Sequence, residues 1–152
     1  MDDPALALLI VHLVATGLMA GLIWFVQVVH YPLHGAVPED GFVAYEREHV
    51  ARTGRLVGPL MLVEAAAAAW LLVRPPEGVP ASLPWTGAGL LAVLWLSTFL
   101  VQVPLHRRLE RGPDAAVVRR LVVTNWLRTI AWSARFGIAT WVLVAFLGAR
   151  GA

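Results

Sequence analysis

The chain contains no cysteine and no lysine. The first absence excludes a disulfide framework, a thiolate metal ligand and a thiol nucleophile. The second leaves the whole basic balance to 12 arginines. That usage reads as cytoplasmic-loop charge and a GC-rich bacterial genome, with no nucleic-acid surface. No nucleotide-binding glycine loop, Ser-His-Asp arrangement or zinc-protease motif occurs. The start, Met1-Asp2-Asp3-Pro4, lacks a basic n-region, and no small-residue cleavage site follows. The first apolar run is therefore expected to be an anchor and not a removable signal.

What fills the chain is apolar sequence. With 59% hydrophobic residues and a mean hydropathy of +0.69, it is too apolar for a soluble domain of its length. Spans are expected at about 5–31, 52–73, 84–105 and 124–147. Four spans of ~20 residues, each ~30 Å long, leave room for one integral membrane domain over 1–152. The expected fold is all-α, a four-helix transmembrane bundle.

The connections differ in kind. Arg74-Pro75-Pro76-Glu77-Gly78-Val79-Pro80 is a proline-rich turn with a single basic residue. The other two open on helix-start signals, Pro38-Glu39-Asp40 and Pro113-Asp114, so helices two and four should be longer than the membrane is thick. Arg47, Arg52 and Arg55 flank the first of these connections; Arg107, Arg108, Arg111, Arg119, Arg120 and Arg128 flank the second. By the positive-inside rule both lie in the cytoplasm and both termini outside, in a bacterial inner membrane. Val26-Gln27-Val28 followed by Pro32-Leu33-His34 echoes Val101-Gln102-Val103-Pro104-Leu105-His106. Such an echo fits two parallel helical hairpins related by an axis along the membrane normal, or chance.

The few polar residues of each span fall on one helical face. His12, Thr16, Gln27, His30 and His34 lie within ~60° of one another at ~100° per residue. Thr98, Gln102 and His106 follow i, i+4, i+8 in the third span. In the fourth, Thr124, Arg128 and Arg135 fall within ~40°, and in the second Glu46, His49, Thr53 and Glu64 fall within ~60°. Lipid does not accept imidazoles and amides, so these stripes should meet inside the bundle. Gly58-Pro59 is a candidate kink in helix two.

Depth sorts the stripes into two groups. Glu64 and Arg135 come out near the bilayer centre, where a lone charge costs at least ~2.5–3.5 kcal/mol. They are expected to pair, with His12 or Thr98 nearby, as a proton relay, a substrate anchor or a register-fixing ion pair. Nearer the arginine-rich side gather Gln27, His30, His34, His49, Gln102, His106, Asn125 and Arg128. Histidines from separate helices suit a transition metal or a haem iron. Glu46-x-x-His49 has the spacing of carboxylate-bridged metal bundles, although helix four offers arginine where such a bundle has carboxylates. The metal set is thus His34, His49, His106 and Glu46, against an interfacial hydrogen-bond network with arginines binding lipid phosphate. Arg52, Arg55, Arg107, Arg120 and Arg128 are expected to ring a cavity suited to an anionic head group.

Trp85, Trp70 and Trp141 fit an interfacial belt. Trp24, Trp126 and Trp132 are placed inside, where a flat aromatic ligand stacks. Gly17 and Gly21 suit close helix packing or formation of a homo-oligomer.

The run from Gln102 and Pro104-Leu105-His106 to Thr124-Asn125-Trp126-Leu127-Arg128-Thr129 and Trp132 resembles small bacterial four-span integral membrane proteins of uncharacterised function. With its glycine-containing first span leading to His30-Tyr31-Pro32, the layout also resembles the anthrone-oxygenase-like membrane family. That resemblance implies oxidation of a polycyclic aromatic substrate without an evident cofactor. His12 and Ala20-Gly21 are more loosely similar to the haem-associated four-span protoporphyrinogen-oxidase family, whose third- and fourth-span patterns this chain lacks.

Three classes of function stay open. The favoured one is a membrane oxidoreductase or oxygenase acting on a small lipophilic molecule, because four histidines gather at one level. In it His30, Asn125, Arg128, Glu64 and Arg135 carry proton transfer and anion stabilisation. Gln27, Gln102, Trp126, Trp132 and Arg52 bind the ligand. The others are a module that binds or transports a lipid-like or anionic ligand, and a structural subunit whose polar interior fixes packing.

Overall fold

A computed structural model describes residues 3–151. Among the described residues there are four helical rods and no strand. They are α1 (Pro4–Ala36), α2 (Glu39–Val73), α3 (Ser82–Leu109) and α4 (Ala115–Gly151), each long and apolar enough to cross a membrane. The protein is a multi-pass membrane bundle. Every rod packs on its sequence neighbours, and α1 closes the ring against α4. Rods one and three run further toward the arginine-rich end than the hydropathy pattern indicates, reaching Ala36 and Leu109. At 1.5 Å per residue, the 35 residues of α2 and the 37 of α4 measure over ~50 Å against a hydrocarbon core of ~30 Å.

Capping explains where the rods begin. Asp3 accepts from the amides of Ala5 and Leu6 at 2.9 and 3.4 Å, and Asp114 from those of Ala116 and Val117 at 2.8 and 3.1 Å. Both short carboxylates satisfy first-turn amides left without an intrahelical acceptor. Asp3 also pairs with Arg150, joining the ends of α1 and α4. Between α2 and α3, Gly78 takes φ 75°, and a β-carbon there would collide with that of Ala149. Only glycine allows this turn to lie against α4.

Two π-turns interrupt the rods, Val26–His30 in α1 and Thr98–Gln102 in α3. Each is followed by a proline, Pro32 and Pro104, that lacks an amide and crowds the carbonyl four residues back. Widening the helix at that point relieves the conflict. The second turn begins at residue 98 against 26, 72 positions later, matching the spacing of His34 and His106. The sequence echo therefore coincides with a repeated backbone feature in the two hairpins. Helix α2, by contrast, runs unbroken through Pro59.

The outer surface is apolar, with Leu62, Leu100, Ile130 and Val144 exposed, as lipid requires. Between the rods, dispersion and polar contacts replace the hydrophobic drive that water would supply. One core joins Met19, Ile23, Leu94, Leu105, Leu109, Leu121 and Trp132. A smaller one at the opposite end joins Leu9, Leu71, Val142 and Phe146. Gly17 lets α1 approach α4, since a β-carbon there would stand 3.0 Å from the Phe136 ring, whereas Gly21 faces open space. One glycine of the pair thus serves packing within the bundle.

Candidate functional site

The polar stripes meet inside the bundle in three layers. In the layer farthest from the arginine-rich end, Glu64 of α2 lies 3.4 Å from the Arg135 guanidinium of α4, and both are buried. Trp132 Nε1 donates to the other Glu64 oxygen at 3.0 Å, and Arg135 also donates to the Gly87 carbonyl. Both nitrogens of buried His12 and the hydroxyl of Thr16 lack a partner among the described residues. His12 thus stays outside the ion pair's hydrogen bonds, and Thr98 turns back onto the Leu94 carbonyl at 2.7 Å.

The middle layer binds the π-turns to α4. Gln27 donates to the Val122 carbonyl at 3.2 Å, and its own carbonyl accepts from Asn125 Nδ2 at 3.0 Å and Thr129 at 3.4 Å. Gln102 donates to the Thr124 hydroxyl at 3.1 Å. Arg128 donates to Asn125 Oδ1 at 3.0 Å, and its guanidinium lies over the Trp132 ring, 5.2 Å from the centroid. Arg128 is 7% exposed, its Nε has no partner, and it forms no ion pair among the described residues.

The layer at the arginine-rich end holds the remaining four histidines. Buried Glu46 takes one imidazole at each oxygen: His34 Nε2 at 3.0 Å and His106 Nδ1 at 2.5 Å. Tyr31 Oη contacts His106 Nε2 at 3.0 Å. His30 Nε2 meets His49 Nδ1 at 2.9 Å, and Thr53 reaches the same His49 nitrogen at 3.2 Å. The rings pack in direct contact, with centroids 4.5 Å apart for His30 and His49 and 5.2 Å for His49 and His106.

A cavity of about 580 Å³ lies between α1, α2 and α3 and ends against these two layers. Its walls are mostly apolar, including Met19, Ile23, Met61 and Trp95, and its polar lining includes Tyr31, His49, Gln102, His106 and Arg128, as well as Arg107 and Glu110. Room comes from α2, where Gly54 and Gly58 line the space and β-carbons at either would meet nothing within 4 Å.

The sequence-derived site residues therefore divide. His49, His106, Gln102 and Arg128 border the cavity. His30, His34 and Glu46 stand behind His49 and His106 in the same cluster. Gln27, Asn125 and Trp132 are buried supports. Glu64 and Arg135 form a separate buried pair.

Two of the expected ligand-binding residues lie away from the cavity. Arg52 is exposed and pairs with Glu48 one turn earlier at 2.5 Å, so its charge is met by its own helix. Trp126 is 42% exposed and packs edge-on to Trp24 at 5.8 Å on the outer surface, with Trp24 donating to Ser133 at 3.0 Å. At ~100° from Asn125, Trp126 is turned away from the interior. Of the five arginines expected around the cavity only Arg107 and Arg128 line it; Arg52, Arg55 and Arg120 are exposed.

Tyr31 and Trp95 are not among the site residues that the sequence pattern singles out. Tyr31 lies ~100° from His30 on a regular helix and so off the stripe. The π-turn inserts a residue and rotates it inward, where it is 4% exposed. A proline shortly after a polar stripe is the available signal. Comparison of the chain with protein-family models, with curated proteins and with solved structures finds no match.

Proposed function

We propose that the protein is an oxidoreductase of the bacterial cytoplasmic membrane that oxygenates a small lipophilic molecule carrying an acidic or enolisable head. The observation that carries this reading is Arg128: a buried guanidinium with no carboxylate partner among the described residues, at the polar edge of an apolar cavity. Burying a cation without an anion is costly, and an anionic head group in the cavity offsets that cost. The resemblance in layout to the anthrone-oxygenase-like family, read from the sequence, points the same way.

The edge residues have the chemistry for it. His49 is a base at the cavity wall, beside His106, which is held by Glu46 and Tyr31. Removal of a proton from an activated methylene group leaves a carbanion whose charge Arg128 stabilises. Two electrons pass from that carbon to dioxygen, forming a carbon–oxygen bond and, with the proton returned, a hydroperoxide. Loss of water then leaves the ketone, so one methylene carbon and one dioxygen give one ketone and one water. The apolar walls exclude solvent and favour a flat hydrophobic body.

Oxygen uptake by the purified protein in nanodiscs, with anthrone as probe, tests the reading. Uptake in proportion to protein and severely reduced in Arg128→Gln supports it. Uptake equal to that of empty nanodiscs across anthrone and related phenols overturns it.

A further inference from the structure

The cluster behind the cavity carries a second, more specific assignment. Nitrogens of His34 and His106 and an oxygen of Glu46 lie within 4.8 Å of one another, as do nitrogens of His30, His34 and His49. The chain has no cysteine, so the donors are imidazole and carboxylate only.

Hydrogen-bond accounting shows what the first group lacks. His34 Nδ1 faces the His30 carbonyl oxygen at 3.2 Å. A carbonyl only accepts, so this contact places a proton on Nδ1. The neutral ring then directs the Nε2 lone pair at Glu46 Oε2, 3.0 Å away. Two lone pairs facing each other require something between them, either a proton, on the ring or on the carboxyl, or a metal ion.

Three further features match a metal. Two imidazoles and one carboxylate form the ligand set of the facial-triad type, which leaves positions open for other ligands. Each imidazole is held through its other nitrogen, His34 by a backbone carbonyl and His106 by Tyr31 Oη, as metal-bound histidines are. Ligand bonds of ~2.0–2.2 Å at the ~90° angle of a facial triad need donor separations of about 3 Å. The observed contacts of 3.0 and 2.5 Å reach this by small ring rotations.

We infer that His34 Nε2, His106 Nδ1 and the Glu46 carboxylate bind one divalent first-row transition ion, with its open positions toward His49 and the cavity. Where the oxygenase reading holds, on which this clause rests, iron(II) is the expected occupant.

The test is an anaerobic titration of chelator-treated, detergent-solubilised protein with cobalt(II), followed by visible absorption and elemental analysis. One cobalt per chain with ligand-field bands is expected, weakened at least tenfold in Glu46→Gln and His106→Asn and retained in His12→Ala. A melting transition shows that each variant is folded. No saturable cobalt binding to folded wild-type protein overturns the site, as does wild-type affinity in both folded ligand variants. Cobalt binding, with no oxygen uptake by the iron(II)-loaded protein across anthrone and related phenols, leaves the metal site standing and removes the oxygenase reading. Oxidation without cobalt binding does the reverse.

Discussion

Glu46 Oε1 and His106 Nδ1 are 2.5 Å apart across 60 residues of sequence, and this contact ties the start of α2 to the end of α3 beside the cavity. Glu46 is fully buried, yet it lies in the part of α2 that extends beyond the span expected from hydropathy. Its second oxygen holds His34, so one carboxylate joins three of the four rods at the arginine-rich end.

The metal site proposed at Glu46 predicts a stability that responds to metal. An ion bound only by the folded state stabilises it by about 2.7 kcal/mol at a hundredfold excess over Kd. Thermal unfolding in saturating zinc should therefore show a raised Tm in wild type and none of that rise in Glu46→Gln.

Glu64 and Arg135 are a buried pair on parallel helices, and removal of one partner leaves an uncompensated charge. Glu64→Leu should cost about 3–5 kcal/mol. The double change Glu64→Leu with Arg135→Leu should recover most of it, since both charges go together. Denaturant unfolding of the single and double variants measures this coupling directly.

His12 is the opposite case, a buried imidazole whose two nitrogens have no partner among the described residues. Substitution by an apolar side chain removes a desolvated polar group without orphaning another. His12→Leu should melt at or above the wild-type temperature and keep its oxygen uptake.

Gly58 separates the cavity from the fold. Its missing side chain opens into space, and glycine inside a helix costs about 1 kcal/mol relative to better formers. Gly58→Leu should keep or raise Tm while filling the cavity, so binding of anthrone, read as quenching of tryptophan fluorescence, should be lost from a protein that is still folded.

The four rods and their order are legible in the sequence because apolar length and helical period act locally, and the Glu64–Arg135 pair follows from depth alone. The polar layer near the arginine-rich end is also legible, since lipid forces His34, Gln27 and Gln102 inward. The π-turns are not, because they arise where a proline meets the packing of neighbouring rods. They rotate Tyr31 into the cluster, which a uniform ~100° period places elsewhere. Arg52 is misplaced when its charge is read without Glu48 one turn away. Trp126 is misplaced because a neighbour of Asn125 in sequence faces a different side of the helix.

Buried Arg128 at the cavity edge is most directly tested by equilibrium binding of anthracene-9-carboxylate, a flat fluorescent acid, to wild type and Arg128→Gln in the same nanodiscs. Loss of a charge-assisted hydrogen bond is worth about 1.5–3 kcal/mol. The expected result is saturable binding of one molecule per chain, weakened roughly tenfold or more by the substitution. Equal affinity in the two folded proteins, or no saturable binding to wild type, would contradict an anion-holding role for Arg128.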